Sequence, residues 1–187
     1  MVDFLPFCKQ FSPLENEVAE ELFQCSIVKT YQKGELLLQP GKVCRHLFFI
    51  NEGFAKIYFM SDDKEFIMRF FAENLLFTAF PSYLTQTPSN YIIMALEPTT
   101  ATLIRYTDME ELCKKHHSME TFFRKLVSIA TVKMTKRITE MLEKNATTNY
   151  KLFVKENSEI LQRISLGDLA KYLGITQQSL SRIRTQK

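Results

Sequence analysis

The apolar pattern of this chain changes period once, near Asp108, and that change limits what it can fold into more than any other feature. Between Ile27 and Tyr106, short runs of aromatic and β-branched residues alternate with turn residues, the mark of strands and hairpins. The candidate strands are residues 35–39, 46–51, 54–60, 65–71, 91–96 and 99–105. Turns are expected at Pro40-Gly41, Asn51-Glu52-Gly53, Ser61-Asp62-Asp63 and Glu97-Pro98. Strands this short and evenly spaced predict a small antiparallel barrel or roll. A helix or loop over residues 72–88 interrupts the series.

Before the strands, Leu14, Val18, Leu22 and Cys25 share one face of a helix expected to start at Ser12-Pro13. After Asp108 the period is helical. A short helix over residues 108–116 is followed by a long one from Glu120 to about Lys144. At 1.5 Å per residue that helix is about 37 Å long. Phe123, Val127, Ala130, Met134, Ile138 and Met141 recur at steps of three and four and form one apolar stripe. Val127, Met134 and Met141 stand seven apart, as in a coiled-coil seam. Such a helix overruns a small roll, so the stripe is expected to meet a second copy of the chain. Residues 145–149 are polar and read as a hinge, with another helix over residues 150–156.

The net charge is +3, and its distribution matters more than its size. Residues 1–119 carry a net −4, residues 120–148 a net +3 and residues 149–187 a net +4. The cationic C-terminal third suits a polyanion. Sixteen Phe and no Trp predict a Phe-rich core. No apolar run reaches the ~18 residues of a membrane span, and Met1-Val2-Asp3-Phe4 does not open a signal peptide. A cytoplasmic protein without membrane partners is expected. Cys8, Cys25, Cys44 and Cys113 are scattered, with no pair at CxxC spacing, and read as buried thiols rather than a metal or cluster site. His46, His116 and His117 are expected at the surface or in turns.

Residues 164–184 are the most informative stretch. Ser165 is a good N-cap, with Asp168 placed to complete a reciprocal cap. Leu166, Leu169, Ala170 and Leu173 form one face, and Ala170 is small enough to let a second helix cross closely. Gly174 suits the left-handed residue that ends the first helix. Ile175 follows as a core plug, Thr176 caps the second helix, and Leu180 and Ile183 are its inner face. This is a helix-turn-helix. It leaves Gln177, Gln178, Ser181, Arg182 and Arg184 exposed, with Ser179 near the leading end. Gln pairs with adenine and Arg with guanine in the major groove. Thr176 and Ser179 suit phosphate contacts at the helix N-terminus. The expected DNA-binding set is therefore Thr176, Gln177, Gln178, Ser179, Ser181, Arg182 and Arg184, on double-stranded DNA.

The order of parts resembles the Crp/Fnr family of transcription regulators over nearly the whole chain. The matching residues are Lys33-Gly34-Glu35-Leu36, Pro40-Gly41, His46-Leu47-Phe48-Phe49-Ile50, Glu52-Gly53-Phe54-Ala55-Lys56-Ile57-Tyr58 and the helix-turn-helix. The resemblance implies an α+β chain in three parts. These are an N-terminal antiparallel β-roll (a double-stranded β-helix like that of cyclic-nucleotide-binding domains) over residues 1–118, a dimerisation helix over 119–146, and a helix-turn-helix domain of winged-helix type over 147–187. The wing is expected to be short or absent, because only Thr185-Gln186-Lys187 follow. It also implies a homodimer on a two-fold operator, with base contacts from Gln177, Gln178 and Arg182 and RNA polymerase as a further partner. The first two of these positions often hold Arg and Glu in the family, so two Gln should alter the preferred bases.

The sensor pocket departs from the family. Members that bind cyclic AMP use a Gly-Glu pair and an Arg-Ser or Arg-Thr pair. Here these positions hold Thr78-Ala79 and Ser89-Asn90, so both charged anchors are missing. Burying a phosphate without a cation is costly, and cyclic AMP is not expected to be the effector. Glu73 and Arg69 lie nearby in sequence but off register. The expected pocket residues are Phe77, Thr78, Ala79, Ser89 and Asn90. Phe77, Phe80, Tyr83 and Tyr91 either fill this space as core or border a pocket for a less anionic small molecule. A second reading is a small-molecule-binding roll that acts through protein–protein contacts. No nucleophile–base pair, Gly-rich phosphate loop or metal-ligand spacing supports an enzyme.

Overall fold

The computed structural model describes residues 4–185. Met1–Asp3 and Gln186–Lys187 lie outside the described residues, and with them the segment where a short wing is expected. Two short helices, α1 (Phe4–Phe11) and α2 (Asn16–Gln24), precede eight strands. These are β1 (Ser26–Tyr31), β2 (Leu36–Leu38), β3 (His46–Glu52), β4 (Ala55–Ser61), β5 (Lys64–Phe71), β6 (Leu76–Phe77), β7 (Tyr91–Ala95) and β8 (Thr99–Arg105), with α3 (Phe80–Thr85) between β6 and β7. Then come α4 (Tyr106–Lys115), α5 (His117–Glu143), α6 (Ala146–Glu156), a 3-10 turn (Leu161–Arg163), α7 (Leu166–Leu173) and α8 (Gln177–Thr185).

The strands form two antiparallel four-stranded sheets, ordered β1-β8-β3-β6 and β2-β7-β4-β5. This is the expected roll. The interruption at residues 72–88 resolves into β6 and α3. Gly53 sits at the β3–β4 corner with φ +105°, and a Cβ there would lie 2.5 Å from the Pro98 carbonyl oxygen. Only glycine fits that approach.

Several boundaries differ from the sequence reading. The first amphipathic helix starts at Asn16, not at Ser12-Pro13, because Glu15 is extended (φ −63°, ψ 159°) and serves as its N-cap residue. α1 was not foreseen. It carries Phe4 and Phe7 onto Phe49, with ring centroids 5.3 and 5.2 Å away, and so covers the outer side of β3. The expected hinge at 145–149 narrows to a break at Lys144–Asn145, and residues 146–149 are the first turn of α6. The Asn145 side chain caps α6 by accepting from the Thr148 N–H at 2.9 Å. The Asn149 amide donates to the Glu140 and Lys144 carbonyls, both at 3.3 Å, and so closes the end of α5. The polar residues are there to satisfy two helix ends.

Two cores result. One lies inside the roll and under α1, α2, α4 and the first half of α5, and includes Phe48, Phe49, Phe71, Phe77, Tyr83 and Phe122. The other lies on the outer face of the β2-β7-β4-β5 sheet. There Phe54, Tyr58, Ile67, Phe70 and Ile92 meet Phe153, Ile164, Leu169, Ala170 and Leu180 from the C-terminal helices.

Candidate DNA-reading unit and its seat on the roll

The helix-turn-helix is built by its caps. The Ser165 hydroxyl oxygen accepts from the Asp168 N–H at 3.0 Å, which starts α7. Asp168 does not reach back to the backbone. Its carboxylate takes the Ser165 hydroxyl at 2.9 Å and the Lys56 ammonium of β4 at 2.8 Å. Gly174 ends α7 in the left-handed region (φ 70°, ψ 28°). The Ile175 N–H then bonds the Ala170 carbonyl at 3.0 Å, closing the turn as a Schellman-type cap does. The Ser179 N–H donates to Thr176 Oγ1 at 3.1 Å, and Leu180 is fully buried in the angle between the helices.

Gln177, Gln178, Ser181, Arg182 and Arg184 all face solvent on α8. Thr176 is exposed as well. Ser179 is half-buried, and its hydroxyl lies 2.9 Å from that of Thr176. The seven expected DNA-binding residues thus occupy one helix and its cap, with no carboxylate among them.

The unit is clamped to the roll by ion pairs that sequence reasoning missed. Lys56 is 6% exposed in its side chain and bonds both Glu65, at 2.6 Å, and Asp168. Burial alone would depress its pKa, but the hydrogen bonds to Asp168 and Glu65 outweigh that and raise it. Lys171 of α7 reaches the same Glu65 at 2.8 Å. Arg163 grips Glu73 through two bonds, at 2.8 and 2.9 Å, and also pairs with Glu97. Arg163 holds the Glu73 carboxyl down to about 2. Arg137 of α5 donates to the Tyr172 carbonyl and lies over the Tyr172 ring, 3.9 Å from its centroid.

Inside the roll, the expected pocket residues separate. Phe77, Thr78, Ala79 and Ser89 are buried, while Asn90 faces solvent. The Thr78 hydroxyl donates to the His46 carbonyl at 2.8 Å, and Ser89 Oγ bonds the backbone of Tyr91. Phe77 stacks on Phe71 and Phe48, with centroids 3.8 and 5.7 Å apart. Of the four aromatics weighed as pocket filling, Phe77 is the one in this stack. Tyr83 turns to Tyr106 and Phe123, and Tyr91 to Phe59. Glu73, off register for a ligand, is spent on Arg163 and on the Gly53 N–H. His46 is half-buried rather than superficial, and burial, then Arg105, lowers its pKa. His116 is half-buried against Glu21, at 3.1 Å. Cys8 and Cys44 are buried, Cys25 and Cys113 half-buried, and all four are free thiols. Burial pushes Cys25 up to about 11 and Cys113 to about 12.

Along α5 the stripe divides. Phe123 packs partly into the roll core, and Val127 and Ala130 are half-buried. Met134, Ile138 and Met141 are 44–55% exposed, and Leu142 beside them is 82% exposed. No helix among the described residues is long and apolar enough to cross a membrane.

Residues 28–116 match the cyclic nucleotide-binding domain family. No curated protein matches the chain in sequence. Among solved structures, the fold is similar to FixK2 from Bradyrhizobium japonicum at 16% identity, covering 86% of this chain and 83% of that one, with a TM-score of 0.77. A protein from Eubacterium rectale assigned to the crp/fnr family of transcriptional regulators has 16% identity, coverage of 91% and 82%, and a TM-score of 0.74. The global regulator CLP from Xanthomonas campestris, described as responsive to c-di-GMP, has 14% identity, coverage of 90% and 89%, and a TM-score of 0.72. The chain therefore has the fold of Crp/Fnr-type regulators, and residues 28–116 of it match the cyclic nucleotide-binding domain family.

Proposed function

We propose that this protein is a sequence-specific DNA-binding transcription regulator that works as a homodimer on a palindromic operator in the cytoplasm. The observation that carries the reading is the α7–α8 unit. It has two capped helices, a left-handed glycine between them and an outward face of Gln, Ser and Arg. In this reading Gln177, Gln178 and Arg182 read base edges. Thr176, Ser179, Ser181 and Arg184 position the helix on the phosphates. Residues 1–118 are the sensor, 119–146 the dimerisation helix and 147–187 the reading domain.

Dimerisation is supported by α5, whose outer half carries four exposed large apolar side chains on or beside one stripe. The seam is Phe123, Val127, Ala130, Met134, Ile138 and Met141, and Leu142 extends it. Pairing there would set two copies of α8 in successive major grooves, about 34 Å apart. RNA polymerase is the partner through which such a dimer would act. The effector is a small molecule other than cyclic AMP, since Thr78-Ala79 and Ser89-Asn90 supply neither a cation nor a carboxylate. The chain has no catalytic role in this reading.

The test is selection from a random pool of duplexes, with Arg182→Ala beside the native protein. A two-fold motif is expected, and Arg182→Ala should lose about 1–3 kcal/mol of discrimination at one base pair per half-site. Retention without any preferred sequence would reject the reading in favour of a roll acting through protein contacts.

A further inference from the structure

We propose that the roll carries a binding site for a small amphipathic carboxylate at the corner between β2 and β3, away from the position where the family holds a cyclic phosphate. A cavity of about 250 Å³ opens there. Its apolar lining includes Leu36, Leu38 and Phe48, and its polar lining includes Lys42, Arg45 and His46.

Lys56, Arg163 and Lys171 are each matched to carboxylates. Lys42 and Arg45 make no ion pair among the described residues, and both are exposed. Arg105 stands opposite His46 in the β3–β8 register and adds a further positive charge beside the opening. Among the charges that act on His46, Asp108 is the one acid, beside Arg105, Lys29 and Arg45. The rim is thus cationic and unneutralised, while Leu38 and Phe48 behind it are 6% and 1% exposed. An apolar floor under a cationic rim fits a ligand with an apolar body and one anionic end. Arg45 offers the planar fork that a carboxylate takes in two parallel bonds.

The interior explains why the site is displaced. The Phe48–Phe77–Phe71 stack occupies the middle of the roll, and the hydroxyls of Thr78 and Ser89 are already bonded within the protein. Phe48 belongs both to this stack and to the wall of the cavity. An occupant of the corner therefore presses on the same aromatic column that reaches β5 through Phe71. At about 250 Å³ the space lies below the ~300 Å³ at which pockets for drug-sized ligands begin. A benzoate-sized or short-chain carboxylate suits it, and a nucleotide does not. That this ligand is the effector rests on the regulatory reading above, whereas its binding does not.

The experiment is heat denaturation of the full chain, without DNA, against benzoate, hexanoate, benzyl alcohol, inorganic phosphate and cyclic AMP. Benzoate or hexanoate should raise the melting temperature with saturation. Benzyl alcohol, which lacks the charge, and phosphate, which lacks the apolar body, should not. Arg45→Gln should weaken the apparent affinity at least tenfold. Leu38→Phe, which fills the floor, should abolish the shift, and Lys151→Gln on α6 should leave it unchanged. The proposal fails if neither carboxylate stabilises the protein. It fails too if phosphate does so equally, if cyclic AMP alone does so, or if both Arg45→Gln and Leu38→Phe respond like the native chain. Carboxylate binding by a protein that prefers no duplex sequence would leave this site standing and remove the regulatory reading.

Discussion

Lys56 of β4 and Asp168 of α7 are 112 residues apart in sequence and 2.8 Å apart in space. The Lys56 ammonium lies between Asp168 and Glu65, so one buried cation answers two acids from different parts of the chain. Asp168 in turn holds the Ser165 hydroxyl that caps α7. The start of the helix-turn-helix is thereby tied to the first strand of the β4–β5 hairpin in the roll.

Replacing Lys56 by Met should leave those two carboxylates facing an apolar surface. Breaking a buried ion pair from one side costs about 3–5 kcal/mol. Glu65 keeps Lys171 as a partner, so a loss of about 3 kcal/mol is expected by urea unfolding. Adding Asp168→Leu should restore most of it. A loss below about 1 kcal/mol for Lys56→Met alone, the range of an exposed pair, would show that the bridge contributes little.

Glu73 predicts an acid response. Its pKa is lowered from 4.5 to about 2 by Arg163. A carboxyl depressed by folding adds stability that is fully present above the unfolded value and disappears as pH falls through the folded one. Between pH 4.5 and about 2 the native protein should therefore lose melting temperature more steeply than Glu73→Gln. Parallel curves would mean that the Arg163 fork does not persist in solution.

Gly174 allows a clean test of the turn. An added Cβ would meet nothing within 4 Å, so the cost of substitution is the backbone angle alone. Val should cost about 1–2 kcal/mol at positive φ, and Asn distinctly less. Equal melting temperatures for Gly174→Val and the native chain would rule out the left-handed residue.

Met134→Lys should dissociate the proposed dimer by placing a charge in the middle of the α5 stripe. Val132→Lys should not, because Val132 is 68% exposed and lies on the far side of the helix. Sedimentation of the two variants compares the faces directly. Dissociation by Val132→Lys and not by Met134→Lys would place the seam elsewhere.

The sequence made most of the local structure legible and little of the long-range structure. β8 falls at the expected residues 99–105, and the caps of the helix-turn-helix are where Ser165, Gly174 and Thr176 put them. β1 was missed because four of its six residues are exposed, which removes the alternation that marks a half-buried strand. β6 has only two residues and is too short to show a period. The clamp was missed because Lys56, Glu65, Glu73 and Arg163 have no local pattern that joins them. One signal was present. Phe54, Ile57, Tyr58 and Phe59, like Phe66, Ile67, Phe70 and Phe71, put apolar residues on both faces of their strands. A sheet open to solvent on one side would alternate instead.

That sheet has no free side, and this decides how the molecule comes apart. Phe54, Tyr58, Phe70 and Ile92 are covered by the C-terminal helices, and those helices have Phe153, Leu169 and Leu180 covered in return. A fragment ending at Lys144 would surrender this shared packing and the Arg163 that pairs with Glu73 and Glu97. Neither half is insulated from the other, so heat should take the roll and the helix-turn-helix in one cooperative step, and a protease that frees one should ruin both.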